Sequence, residues 1–218
     1  MIVLVVVAHP DDEVLMGGAI ARFAAEGQQV FVLALADGET SRPMGCDPHG
    51  VKACQAIDQR LERHRAAARV LGFAVVEDVR NGSIRFPDQR LDVTPLLDIT
   101  RIIERVIAEV QPSVVYTHSP GDLNSDHRRV YEAVLPAVRP KNGVREVYAF
   151  AGPRMIRFEP TSFWGVTEAQ MDQQHQALLC YGDELAGEWE MIKARAVEYG
   201  YRVGVAHAEG FEVIREMR

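Results

Sequence analysis

Ile2 to Val7 is an unbroken apolar run of one strand's length. The stretch Val14 to Ala25, with apolar positions at helical spacing, reads as the helix after it and stops at Gly27. Val30 to Ala36 repeats the apolar run. Periodicity then disappears, and Asp37-Gly38-Glu39 with Pro43 predicts a loop over a sheet edge through Gly50. A long helix is expected over Cys54 to Leu71, with Arg60, Glu62, Arg63 and Arg65 on its charged side. Val75 to Val79 reads as a short strand, followed by a Gly/Pro-punctuated loop from Asn81 to Asp92.

The helix Pro95 to Val110 carries Leu96, Ile99, Ile102, Ile103, Val106 and Ile107 on one stripe and leads into a strand at Ser113 to Thr117. An edge loop, His118 to Ser125, a helix, Asp126 to Ala137, and a strand, Val147 to Ala151, complete the regular pattern. Strand and helix alternate, which predicts a parallel sheet joined by right-handed crossovers. Beyond Gly152 the pattern is mixed. Helices are expected near Glu168 to Tyr181 and Glu188 to Tyr199, with a last strand near Glu212 to Arg215.

With 218 residues, 47% of them hydrophobic and 25% charged, the chain can bury one substantial core, so a single domain over 1–218 is expected. A formal net charge of −7 argues against nucleic acid as a partner and favours a small molecule. Cys46, Cys54 and Cys180 have no metal-knuckle spacing and form no disulfide framework, so free thiols in a reducing compartment are expected. No apolar stretch approaches the roughly 18 residues of a membrane span, and the first strand begins without a basic leader. The expectation is a cytoplasmic homo-oligomer.

Two polar clusters change this picture. His9-Pro10-Asp11-Asp12-Glu13 follows the first strand, and His118-Ser119-Pro120-Gly121-Asp122-Leu123-Asn124-Ser125-Asp126-His127 follows the strand at Val114 to Thr117. A parallel sheet brings both to the same carboxyl-terminal rim, where open α/β folds keep their sites. Adjacent carboxylates repel one another and lose solvation, so a divalent cation is their simplest user. Two imidazoles and one carboxylate with a fourth position left to water make a catalytic zinc site.

Ala8-His-Pro-Asp-Asp-Glu13 and Asp122-Leu-Asn-Ser-Asp-His127 resemble the two metal motifs of the PIG-L/LmbE family of zinc-dependent N-acetylglucosamine deacetylases. Asp37-Gly38-Glu39, Phe86-Pro87-Asp88 and Ala208-Glu209-Gly210-Phe211 extend the resemblance over most of the chain. It implies zinc held by His9, Asp12 and His127, with Asp11 as the general base, and hydrolysis of the acetamide of an N-acetyl sugar. Many members carry a histidine three positions before the last ligand; here that position is Asn124. An amide donates to an oxyanion but supplies no titratable proton, so the general acid is unassigned among protonated Asp11, His118 and His207. Asn124 and His118 are the further catalytic candidates.

Other readings compete at individual residues. Asp12 as a helix cap would explain neither His9 nor Asp11. Glu13 reads as first-turn support rather than a ligand, Asp126 equally as a cap or an orienter of an imidazole, and His49, His64 and His175 as solvated surface. Arg42 and Arg85 are possible phosphate contacts but more simply solvated, and Trp164 and Trp189 suit burial or an interface better than sugar stacking. Gly17 and Gly18 lack the placement of a dinucleotide fingerprint. The expected fold is α/β, a single-domain Rossmann-like sandwich with a mainly parallel central sheet. The alternatives to deacetylation are a thiol-sugar conjugate amidase and a non-catalytic sugar- or nucleotide-binding module.

Overall fold

The computed structural model describes residues 1–41, 51–76, 86–185 and 187–217. Seven strands form one sheet of order β3-β2-β1-β4-β5-β7-β6: β1 (Ile2–Val7), β2 (Gln29–Ala34), β3 (Ala74–Val75), β4 (Val114–His118), β5 (Glu146–Phe150), β6 (Ser162–Val166) and β7 (His207–Glu216). The five strands from β3 to β5 run parallel, as the alternation of elements predicts. β7 pairs antiparallel with both β5 and β6.

Successive residues of β1 enter opposite layers because strand side chains alternate. Val3, Val5 and Val7 pack with Ile20 and Phe23 of α1 (Gly17–Ala25), Ala67 and Leu71 of α2 (Val51–Leu71) and Ala177 of α5 (Glu168–Leu179). Leu4, Val6 and Ala8 face Ile99, Ile103 and Val106 of α3 (Leu96–Val110) and Val130 and Val134 of α4 (Ser125–Ala137). A core on both faces is why β1 is apolar at every position.

Some elements depart from the expected pattern. The chain enters α1 through a 3-10 turn, Asp12–Met16, whose buried carboxylates belong to the site. β3 covers Ala74–Val75, and Val79 lies outside the described residues. β6 gave no signal in the sequence: four of its five residues are only half-buried and Gly165 interrupts them. β7 begins five residues before its expected start because Glu209, a charged residue in an apolar run, is buried there. Its carboxylate accepts hydrogen bonds from Gly18 N at 3.0 Å and Ala19 N at 2.7 Å, and so supplies the cap that α1 lacks locally. A Cβ on Gly18 would lie 3.1 Å from Glu209 Oε1 and 3.2 Å from Val166 Cγ1, so a larger residue would push these side chains back by a few tenths of an ångström. α6 (Glu188–Val203) packs against β7 and closes that end of the sheet.

The strand order decides where a site forms. The chain runs from β1 outward to β2 and β3, then returns to place β4 on the other side of β1. The loops leaving β1 and β4 therefore diverge and leave a crevice at the carboxyl edge.

Candidate metal centre

β1 releases the chain at Ala8, whose N–H donates to His118 Nε2 at 3.0 Å across the crevice. His9 N then donates to Asp12 Oδ2 at 2.7 Å, which folds the segment back on itself. Asp11, at the turn, has φ 144° and ψ −22°, a conformation L-residues rarely adopt. Such strain costs on the order of 1–3 kcal/mol and persists only where neighbours impose it. Two do so: Glu13 Oε2 accepts from Asp11 N at 3.0 Å, and Arg60 Nη1 donates to Asp11 Oδ2 at 2.9 Å.

These two neighbours are themselves anchored. Glu13 is fully buried and its Oε1 accepts from the Tyr181 hydroxyl at 2.5 Å, with His64 Nδ1 at 3.3 Å. Arg60, 1% exposed, also donates Nε to Glu39 Oε1 at 2.8 Å. Glu39 is held by the turn at Gly38, whose φ of +73° suits glycine and whose backbone is fixed by Asp37 Oδ1 accepting from Glu39 N and Thr40 N.

From the other side, Asn124 caps α4, its Oδ1 accepting from Asp126 N at 2.9 Å. The first turn of α4 thereby places His127 and Asp126 under β1. Asp122 Oδ2 lies 2.9 Å from His127 Nδ1, which leaves His127 Nε2 aimed at Asp12 Oδ1, 3.2 Å away. Asp126, fully buried, accepts from Gln89 N and Leu91 N and reaches His9 Nε2 at 3.2 Å, where Asp88 Oδ1 also lies at 3.0 Å. His9 Nδ1 is thus turned to Asp12 Oδ2 at 3.3 Å.

The donors of His9, Asp12 and His127 lie within 4.8 Å of one another, each ring fixed by a carboxylate behind it. Among the described residues two other groups, His118 with Asp122 and His127 and His9 with Asp88 and Asp126, meet the same distance limit. Only in the first do all three residues face the cavity of about 320 Å³ at the carboxyl edge, and its two-imidazole, one-carboxylate donor set fits a divalent metal.

The charge balance agrees. Burial works against protonated imidazoles, yet contacts with Asp12, Asp126 and Asp88 hold the His9 pKa well above its ordinary value, and Asp12 and Asp122 lift that of His127 to about 9. Burial likewise opposes the Asp12 carboxylate, but His127 and His118 pull its pKa well below normal. The site favours positive charge between these three residues, whether proton or cation. Asp11 behaves differently: burial and the neighbouring Asp12 charge raise its pKa to about 7, against the opposing pull of Arg60. His118 is driven down to about 4 by burial and then by His127.

His9, Asp11, Asp12, Asn124 and His127 line one cavity. His118 does not reach it: fully buried, it stacks beneath His127 with ring centroids 3.9 Å apart, its Nε2 occupied by Ala8 N–H. His207, at the start of β7, also lies off the cavity, 3.5 Å from Glu168. Asp126 orients His9 and leaves the capping of α4 to Asn124. His64 is a correction, since the sequence reads it as solvated surface and it is 1% exposed; Arg60, expected on the charged side of the same helix, is buried to the same degree. Their sequence signal was available: Arg60, His64, Ala67, Ala68 and Leu71 form one helical stripe in which the apolar members are buried. His175 is half-buried against Trp189, and Trp164 packs edge-on to Phe23. Arg42, Cys46, His49 and Arg85 lie outside the described residues.

Residues 4–138, which contain both polar clusters and every candidate ligand, match the family model described as PIG-L, GlcNAc-PI de-N-acetylase. This chain belongs to the PIG-L family. Among relatives of this PIG-L chain, a 1D-myo-inositol 2-acetamido-2-deoxy-alpha-D-glucopyranoside deacetylase from Rhodococcus erythropolis is 33% identical, over 76% of this chain and 60% of that protein. The chain therefore matches less than two thirds of that relative's length. A probable N-acetyl-alpha-D-glucosaminyl L-malate deacetylase 2 from Bacillus anthracis is 30% identical over 88% of this chain and 84% of its own. A 4-oxalmesaconate hydratase from Pseudomonas putida is also 30% identical, over 97% and 88%. Among solved structures, the 4-carboxy-2-hydroxymuconate hydratase of Pseudomonas putida KT2440 superposes with a TM-score of 0.79 at 26% identity, covering 100% of this chain and 97% of that one. The N,N'-diacetylchitobiose deacetylase of Pyrococcus horikoshii shares the fold, with a TM-score of 0.76 at 20% identity over 98% and 84%. Among the described residues no helix is long and apolar enough to cross a membrane.

Proposed function

We propose that the chain is a zinc-dependent N-deacetylase acting on an N-acetylglucosamine-type sugar or sugar conjugate. The observation that carries this reading is a carboxylate outside the donor set, Asp11, held on strained backbone beside the convergent His9, Asp12 and His127. His9 through Nδ1, His127 through Nε2 and Asp12 would hold the metal. When bound, the metal polarises the acyl oxygen and makes a water acidic near neutral pH.

Asp11 would take a proton from the attacking water as the water oxygen bonds to the acyl carbon. The same carboxyl returns the proton to the nitrogen as the C–N bond breaks, giving acetate and a free amine. Arg60 keeps Asp11 aimed and partly ionised. Asn124 has committed Oδ1 to the α4 cap, so its contribution to the acyl oxygen is the Nδ2 donor. His118 acts as a packing support for His127 and not as the acid, because its Nε2 is occupied and its charged form is strongly disfavoured.

A second reading is favoured by the breadth of similarity to the Pseudomonas putida hydratase, which takes in nearly the whole chain. Addition of water to a carbon–carbon double bond uses the same services, a water deprotonated by Asp11 and a proton returned to carbon. Elemental analysis of the purified protein, with amine release from N-acetyl sugars and loss of 4-oxalmesaconate absorbance measured in parallel, separates these readings. The expected result is about one zinc per chain and amine release. Zinc should be mostly lost in His127→Ala and kept in Asp11→Asn, whose kcat falls by about 100-fold or more. Hydration without amine release would select the second reading, and a metal-free protein inactive in both assays would favour a binding module.

A further inference from the structure

The metal-centred cavity has a neighbour of about 350 Å³, and the two share Gln89, Asn124, His127, Pro153 and Arg154. Arg154 stands at their junction, on a segment whose backbone is held from three directions. Arg195 of α6 donates Nη1 to Gly152 O at 2.7 Å and Nη2 to Pro153 O at 3.3 Å. Leu123 N donates to Arg154 O at 3.1 Å, and Ile156 N donates to Gly121 O at 2.8 Å. Asp122, the partner of His127, forms a bridge with Met155 and packs so closely on Gly152 that a Cβ there would lie 1.7 Å from its Oδ2. The segment is therefore locked to the loop that orients a metal ligand.

The side chain on this fixed backbone is exposed. Arg60, the other cation lining the metal-centred cavity, is engaged by Asp11 and Glu39, whereas the Arg154 guanidinium meets no carboxylate or hydrogen-bond acceptor among the described residues. Asp11, Asp12, Asp88 and Glu188 line the metal-centred cavity and Asp122 the second one, and among the described residues lining the second cavity Arg154 is the one Arg or Lys side chain that can face a substrate anion. A planar fork on rigid backbone also matches a carboxylate in both geometry and charge.

The geometry points to Arg154 as a specificity-determining residue that binds a carboxylate of the substrate in the second cavity while the reacting group lies against His9, Asp12 and His127. The inference rests on the reading of the first cavity as the reaction centre. The carboxylate has two possible sources: an acidic aglycone on an N-acetylglucosaminide, or a carboxyl of an unsaturated acid that is hydrated.

The test compares zinc-loaded wild type, Arg154→Ala and Arg154→Lys with N-acetylglucosaminyl malate, methyl N-acetylglucosaminide and 4-oxalmesaconate as probes. For the acid that is turned over, Arg154→Ala should raise KM by about 10- to 100-fold with little change in kcat, and Arg154→Lys should recover part of it. The neutral glycoside should respond to neither change. Calorimetric titration of the same ligands in the Asp11→Asn background reads binding without turnover and should show the same loss of affinity. If the wild type converts none of the probes, the proposed activity fails while the titration still decides the role of Arg154. Equal affinities of the parent and Arg154→Ala proteins for both acids, or equal losses for the neutral glycoside, would overturn it.

Discussion

Arg60→Met removes a buried cation from between two carboxylates while keeping most of the side-chain volume. At 2.9 Å from Asp11 Oδ2, and with an effective dielectric constant of about 20, the attraction is on the order of 5 kcal/mol before desolvation offsets it. Deleting one partner of a buried ion pair costs about 3–5 kcal/mol, and Arg60 is only 1% exposed. For a chain of this length the melting temperature should fall by roughly 6–20 °C. The functional effect has a definite sign. Burial and Asp12 already raise the Asp11 pKa to about 7 and Arg60 opposes them, so loss of the cation raises it further. A base must be ionised to act, so the acidic limb of kcat/KM should move to higher pH, by about one unit or more. Arg60→Lys keeps the charge without the fork and should recover part of the shift. A folded, zinc-loaded Arg60→Met enzyme with an unmoved acidic limb would refute the argument that Arg60 sets the ionisation of Asp11.

Asn124→Ala removes both the helix cap and the proposed donor, and should cost about 1 kcal/mol of stability together with a 10- to 1000-fold loss in kcat. Asn124→Asp keeps the acceptor for Asp126 N, so it should melt near wild type yet lose kcat to a similar degree; wild-type activity in this variant would exclude the amide as an oxyanion donor. Glu209→Ala leaves Gly18 N and Ala19 N without their acceptor and removes one of the two acceptors of Gln174 Nε2, and should destabilise the protein by about 2–4 kcal/mol in denaturant titration. An unchanged midpoint would show that this carboxylate is not what holds the start of α1.

The regular part of the fold was legible because each element satisfies one period throughout. β1 is apolar at every position, and α3 presents Ile99, Ile103, Val106 and Ile107 on a single stripe. The antiparallel end was legible only in its last strand, expected near Glu212 to Arg215, since β6 is half-buried along most of its length and the start of β7 carries Glu209 where an apolar residue would mark a strand. The polar clusters were legible for a related reason: charges placed directly after apolar runs conflict with core formation, and that conflict is readable without coordinates.

The sequence by itself determined which residues are the candidates for the chemistry, because the identities and spacing of His9, Asp11, Asp12 and His127 are local properties of two short loops. It also determined that these loops leave parallel strands at the same edge. Only the tertiary structure decided how the charges are used. Arg60 lies 49 residues from Asp11, and Tyr181 lies 168 residues from Glu13. No periodicity links such positions, because they meet only when α2 and the chain after α5 pack over the 3-10 turn. The same holds for His118, which the sequence offers as a catalytic candidate and packing places beneath His127. Burial and long-range partners set the pKa and the direction of a side chain, and both are properties of the packed chain.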